Sequence, residues 1–153
     1  MADKLKILLV DDEPSIAKVV GKRLELAGYE VIVASDGQDG LKKAQSHVPD
    51  LVILDIMLPK LNGYEVCTML KGDKRYQQIP IVMFSARGQD QDVETSKSCG
   101  ADGYVMKPFS HGRILHRTNM EEAHSICAKV AILLERGVLV TEAPNETKEG
   151  TNG

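Results

Sequence analysis

Apolar positions along the chain fall into two alternating patterns. Short continuous runs read as strands: "KILLV" at 6–10, "YEVIVA" at 29–34, "DLVILD" at 50–55, "IPIVMFS" at 79–85 and "ADGYVM" at 101–106. Runs without polar alternation fit strands buried on both faces, as in a parallel sheet covered by helices. Between the runs, apolar residues recur at helical spacing. Ile16, Val19, Val20, Leu24 and Ala27 share one face, with Pro14 suited to a first turn and Gly28 to a stop. Residues 37–47 predict a short helix with Leu41 and Ala44 inward, and 63–71 predict another. The segment 89–99, "QDQDVETSKSC", has almost no apolar face and predicts a weak helix. Pro80 sits at the start of its strand, where a missing N–H is tolerated. Five βα units in succession imply an α/β fold, with a parallel sheet between two helical layers and right-handed crossovers.

One carboxylate breaks this pattern. Asp55 ends a run of Leu51, Val52, Ile53 and Leu54. An unpaired buried charge costs several kcal/mol. The strand must therefore end at water or the charge must be held. Other polar residues stand in equivalent places. Asp11 and Asp12 follow the first strand, Ser85 ends the fourth and Lys107 follows the fifth. All lie at carboxyl ends, so all are expected on one edge of the sheet, where ligands bind in such folds. Each position alone is ordinary loop polarity; the set together points to a site. Clustered carboxylates need a cation, and a donor set of oxygens favours Mg²⁺ over zinc. A carboxylate beside Mg²⁺ and a lysine can act as a nucleophile toward a phosphoryl group. On this reading Asp55 lies where its strand meets water.

Composition narrows the classes further. The chain has 153 residues with 27% charged and a net charge of −3, which argues against a general affinity for nucleic acid. The apolar stretch "VAILL" is interrupted by Glu135 and Arg136 and is too short to span a membrane. The start, "MADKLKILLV", does not read as a signal peptide. Cys67, Cys99 and Cys127 are far apart in sequence and show no metal-ligand spacing, so reduced thiols and a cytoplasmic location are expected. His47, His111, His116 and His124 are scattered in the same way.

The motifs "LLVDDEP", "DLVILDIMLPKLNGYE", "IPIVMFSARG" and "GADGYVMKPFS" together resemble the receiver domain of two-component response regulators, from about Lys4 to Phe109. The resemblance implies a flavodoxin-like (βα)5 sandwich with strand order 2-1-3-4-5. It implies that Asp55 accepts a phosphoryl group from a sensor histidine kinase or a phosphotransfer protein. Asp12, Asp55 and the backbone carbonyl of Met57 would bind Mg²⁺, with Asp11 acting mainly through a metal-bound water. Lys107 would pair with the phosphoryl oxygens, and Lys107–Pro108 would be a cis peptide. Ser85 and Tyr104 would be the switch pair, and a downstream protein would read the change. Pro59 and Gly63 would shape the loop after Asp55 by plain turn chemistry. Apart from Mg²⁺-dependent self-phosphorylation and slow self-dephosphorylation, no enzymatic activity is expected.

Other readings fit less well. A haloacid-dehalogenase-type phosphatase needs an acid two residues after its nucleophile, where Met57 stands. A flavodoxin wants a hydroxyl-rich phosphate loop, and "DDEPS" would repel a phosphate. A degenerate receiver that serves as a protein-binding or dimerisation module remains the alternative. After Phe109 no DNA-binding output domain is recognisable, so a stand-alone receiver or a truncated chain is expected, with no direct nucleic-acid contact. Val93 and Gly103 stand where the dimers of related transcription factors use charges. The expected organisation is a receiver at 4–118, a C-terminal helical extension at 119–137 and a disordered tail at 138–153. In the extension, Met120, Ala123, Cys127, Val130 and Leu134 recur at steps of three and four, the spacing of a seam between helices, which favours a homodimer.

Overall fold

The structure is a computed structural model that describes residues 4–85, 95 and 97–106, without the side chains of Ser85 and Met106. Its elements follow in the order β1 (Lys6–Val10), α1 (Pro14–Leu26), β2 (Glu30–Ala34), α2 (Gly37–His47), β3 (Leu51–Asp55), α3 (Gly63–Lys71), β4 (Ile81–Ser85) and β5 (Gly103–Met106). The strands form one parallel sheet of order β2-β1-β3-β4-β5. The resemblance implied that order, and hydrophobic periodicity alone did not.

Alternation along each strand builds two cores. Ile7, Leu9, Leu51, Ile53, Val82, Phe84 and Val105 pack with Ile16, Val20 and Leu24 of α1. Leu8, Val10, Val52, Leu54, Ile81, Met83 and Tyr104 pack with Ala44 of α2 and with Val66, Cys67 and Leu70 of α3. Each large apolar side chain removed from water contributes roughly 1.5–3 kcal/mol, so a sheet apolar on both faces requires both helical layers.

Several predicted boundaries move. β2, β3, β4 and β5 begin one or two residues later than their apolar runs. Asp50 precedes β3, where its carboxylate accepts from the Lys6 N–H at 2.7 Å. Ala27 is exposed and caps α1 rather than joining its buried face. There the chain already turns: Gly28, at φ 103°, donates to Glu25 O, and Tyr29 N–H donates to Leu24 O at 3.1 Å. This is a Schellman end, with the glycine in the left-handed region. Ala17 and Gly21 are buried in Ala27's stead. Of the weak helix at 89–99, Thr95, Lys97 and Ser98 are helical and Cys99 is in a turn, and the rest lies outside the described residues, as do the C-terminal extension and tail.

Two caps fix how the helices meet the sheet. Asp36 accepts from the Asp39 N–H at 2.7 Å at the start of α2. Asn62 and Glu65 form a reciprocal capping box on α3, with N···O distances of 3.0 and 2.9 Å.

Candidate phosphoryl-transfer site

The register places the acidic residues before any side chain is considered. Val10 of β1 pairs with Leu54 of β3, so Asp11 stands level with Asp55. Asp11 N–H continues the ladder to Ala34 O at 3.0 Å. Asp55 pairs with Phe84, which puts Ser85 one residue further toward the same edge, opposite Met106 of β5. Lys107 follows directly in the chain but lies outside the described residues, as does the Lys107–Pro108 bond.

Asp11, Asp12 and Asp55 converge. One carboxylate oxygen from each lies within 4.8 Å of the others. Asp11 and Asp55 are 2% and 3% exposed, and Asp12 is exposed. This corrects one expectation: Asp55 does not lie open to water. Its charge sits under the strand ends, and the Met57 N–H donates to its Oδ1 at 3.3 Å. Asp11 Oδ1 accepts from the Glu13 N–H at 2.9 Å. At such separations each carboxylate pair repels by roughly 3 kcal/mol at an effective dielectric near 20. Each N–H donor eases one carboxylate, and a divalent cation would offset the repulsion among all three. The donor set is all oxygen, as a hard cation requires, and Mg²⁺ is typically held by few protein oxygens and several waters. The cluster therefore fits Mg²⁺.

The loop after Asp55 is shaped around it. A Cβ on Gly63 would overlap the Asp55 carbonyl oxygen and lie 2.9 Å from Ile56 Cα. Gly63 is in fact the first residue of α3, and its N–H donates to Ile56 O at 2.9 Å. Close approach, and not turn chemistry, is what requires glycine there. Between them, Leu61 N–H donates to Pro59 O at 2.7 Å across Lys60, which holds φ 69°. That is a γ-turn with a strained centre, a conformation costing about 1–3 kcal/mol. Pro59 O also accepts from Gly37 N–H at 3.3 Å, tying the loop to α2. Met57 is 66% exposed. Tyr104 is 5% exposed and packs in the α2–α3 core.

Sequence reasoning passed over two further groupings. Lys71 at the end of α3 reaches Asp102 at 2.7 Å and donates to the carbonyls of Gln77 and Ile79 at 2.9 and 2.8 Å. Cys67, far from Cys99 in sequence, lies against it in space. No spacing rule brings such partners together; only the crossover between β4 and β5 does. Among the described residues, no helix is long and apolar enough to cross a membrane.

Comparison with known proteins agrees with this fold. The sequence profile of the response regulator receiver domain matches residues 7–119. The alkaline phosphatase synthesis transcriptional regulatory protein PhoP of Bacillus subtilis is 40% identical over 148 residues, covering 95% of this chain and 56% of that protein. The DNA-binding dual master transcriptional regulator RpaA of Synechocystis is 45% identical over 112 residues, covering 73% of this chain and 46% of that protein. The chain thus spans about half the length of these relatives. Among solved structures, the chemotaxis response regulator CheY4 of Vibrio cholerae superimposes with a TM-score of 0.71 at 32% identity, over 84% of this chain and 99% of that one. The response regulator DrrB of Thermotoga maritima gives 0.72 at 30% identity, over 90% of this chain and 55% of that one.

Proposed function

Because the chain belongs to the response regulator receiver domain family, we propose that Asp55 accepts a phosphoryl group from a phosphohistidine and that the modified form controls a partner protein. The phosphohistidine would be carried by a sensor histidine kinase or a phosphotransfer protein. The observation that supports this most is the convergence of Asp11, Asp12 and Asp55 at the carboxyl edge of the sheet. Asp55 supplies the attacking oxygen. A P–O bond forms as the P–N bond to the donor imidazole breaks, and the imidazole nitrogen keeps the electron pair. Met57 N–H, bound to Oδ1, fixes the plane of the carboxylate. Asp12, Asp55 and the Met57 carbonyl would hold Mg²⁺, with Asp11 acting mainly through a metal-bound water, and the ion would neutralise the clustered charge and that of the incoming phosphoryl group. Lys107 pairs with a phosphoryl oxygen. Ser85 donates its hydroxyl to another, and Tyr104 follows that movement. The phosphoryl group thereby favours one of two packings.

The test is intact-mass spectrometry after incubation with acetyl phosphate. The native chain should gain one phosphoryl group in Mg²⁺ and none in excess chelator, and Asp55→Asn should gain none. The amide cannot attack but is nearly isosteric, so the variant should stay folded. Without metal it should be more stable than the native chain, because removing one carboxylate relieves its repulsion with both neighbours. An unchanged mass gain in Asp55→Asn would move the acceptor elsewhere. A native chain that never gains mass would favour the protein-binding module without phosphorylation.

A further inference from the structure

Two cysteines, 32 residues apart in sequence, meet beside the sheet. Cys67 lies on the buried face of α3 and is fully buried. Cys99 follows the helical residues Thr95, Lys97 and Ser98 and is half-buried. Its N–H donates to Thr95 O at 3.1 Å. The Cys67 thiol lies 3.5 Å from the Cys99 carbonyl oxygen, to which it donates, which brings the two cysteines side by side. The turn that carries Cys99 is clamped onto α3 from its other end. Lys71, one helical turn beyond Cys67, is ion-paired with Asp102. Its stem also packs under Gly100, where a Cβ would come within 3.1 Å of Lys71 Cγ. The thiols are therefore held together by the surrounding backbone.

We propose that Cys67 and Cys99 form a peroxide-responsive dithiol, with Cys99 the attacking thiolate and Cys67 the resolving thiol. A half-buried thiolate poised beside a buried partner is the arrangement that such chemistry requires. The Cys99 sulfur attacks one oxygen of hydrogen peroxide. The O–O bond breaks, Cys99 becomes a sulfenic acid, and the departing hydroxide takes a proton to become water. The Cys67 sulfur then attacks the sulfenic sulfur. The S–S bond forms, the S–O bond breaks, and the hydroxyl leaves with the Cys67 proton as a second water. Two thiols are oxidised by two electrons and one peroxide is reduced by two.

The electrostatics assign the roles in the same order. The neighbouring Cys67 thiol, with a smaller contribution from the Ala101 N–H, lowers Cys99 from its ordinary 9.0 to about 7. The Cys99 thiol and then burial push Cys67 up. Near neutral pH about half of Cys99 is thiolate, the nucleophilic form, while Cys67 keeps its proton. The bond would brace α3, which follows Asp55, against the turn that leads into β5 and Tyr104. Only this restriction of the switch rests on the proposed phosphoryl-transfer reading; the bond itself does not.

The experiment treats the full reduced chain with hydrogen peroxide at neutral pH, digests it without reductant, and maps linked peptides by mass spectrometry. The Cys67 peptide should be joined to the Cys99 peptide, and reductant should reverse the link. Cys127→Ser should leave the link intact. Cys99→Ser should abolish it and leave Cys67 as a thiol. Iodoacetamide should label native Cys99 at least tenfold faster than Cys67, with a half-maximal rate near pH 7. A link that forms only in denaturant, a link to Cys127 instead, or Cys99 passing on to sulfinic acid with Cys67 still reduced would each overturn the proposal. None of these readouts involves Asp55, so failure here and failure of phosphorylation are separate results.

Discussion

At the scale of single residues, one hydrogen in place of a methyl group decides whether the acceptor loop closes. Helix propensity alone says that Gly63→Ala should stabilise α3 by about 1 kcal/mol. The structure reverses that sign, because the added Cβ meets the backbone of Asp55 and Ile56, which cannot swing aside like a flexible side chain. Overpacking against a rigid neighbour typically costs about 1–3 kcal/mol. Gly63→Ala should therefore lower the urea midpoint and slow acetyl phosphate modification of Asp55. Equal or higher stability with an unchanged rate would show that the loop gives way. The sequence marked Gly63 as a turn residue but gave no sign of what lay opposite it. Close approach is a property of two segments, and the pattern of one segment does not contain it. Asp11, Asp12 and Asp55 were more legible. Asp55 stood out because it ends a buried apolar run, and Asp11 and Asp12 because a parallel sheet puts several such ends on one edge.

At the scale of elements, the cap of α2 couples helix stability to pH. The Asp39 N–H, and then Lys60, hold Asp36 below its ordinary value of 3.8, with burial opposing them. A carboxylate depressed in the folded state adds stability above its unfolded pKa, and loses it as pH falls through the lower folded value. Asp36→Ala should lower the urea midpoint near neutral pH, as loss of an N-cap does. Native and variant urea midpoints should converge as the pH falls below about 4. A gap that persists in strong acid would mean that the cap does not act through its charge. Lys60, 62% exposed and 3.6 Å from Asp36, adds little, as surface pairs generally do. Most element centres were readable because each strand is apolar on both faces and each helix on one. Ends were less so. Ala27 suited the α1 stripe, but Gly28 had already turned the chain, and the buried face passed instead through Ala17 and Gly21. The "QDQDVETSKSC" segment offers no stripe, so pattern alone could not fix it.

At the scale of the whole molecule, alternation and length predicted a parallel sheet between helices, but they do not order its strands. Every strand here is apolar on both faces, so none declares itself an edge. The order came from motif resemblance, and the observed sheet agrees. The same limit applies to the C-terminal segment, which lies outside the described residues. Its seam of Met120, Ala123, Cys127, Val130 and Leu134 predicts pairing with a second copy, since exposing that much apolar surface is unfavourable. Sedimentation of the full chain should show a dimer at micromolar concentration, and a chain truncated after Arg117 should run as a monomer. Two monomers, with and without phosphorylation, would mean that the segment covers its own domain.

The Lys71 ammonium also bears on how the molecule opens. It joins the end of α3, the Gln77 and Ile79 carbonyls and Asp102, whose Oδ2 in turn accepts from the Ile81 N–H at 2.8 Å. Four segments therefore part together or not at all, as one cooperative unit in the hierarchy of partial unfolding. The pair is mostly buried, at 16% and 14% exposure. Removing one partner of a fully buried pair costs about 3–5 kcal/mol, and roughly 2 kcal/mol is expected here after allowing for solvent. In hydrogen exchange, Lys71→Met should then speed the Ile81 amide roughly thirtyfold, by the rule that 1.4 kcal/mol is tenfold. The amides of β1 should hold their rates, and an unchanged Ile81 would show that the start of β4 opens independently of α3. On this account the half of the sheet carrying β4 and β5 has its own threshold for release, set by one charge on the helix beside it.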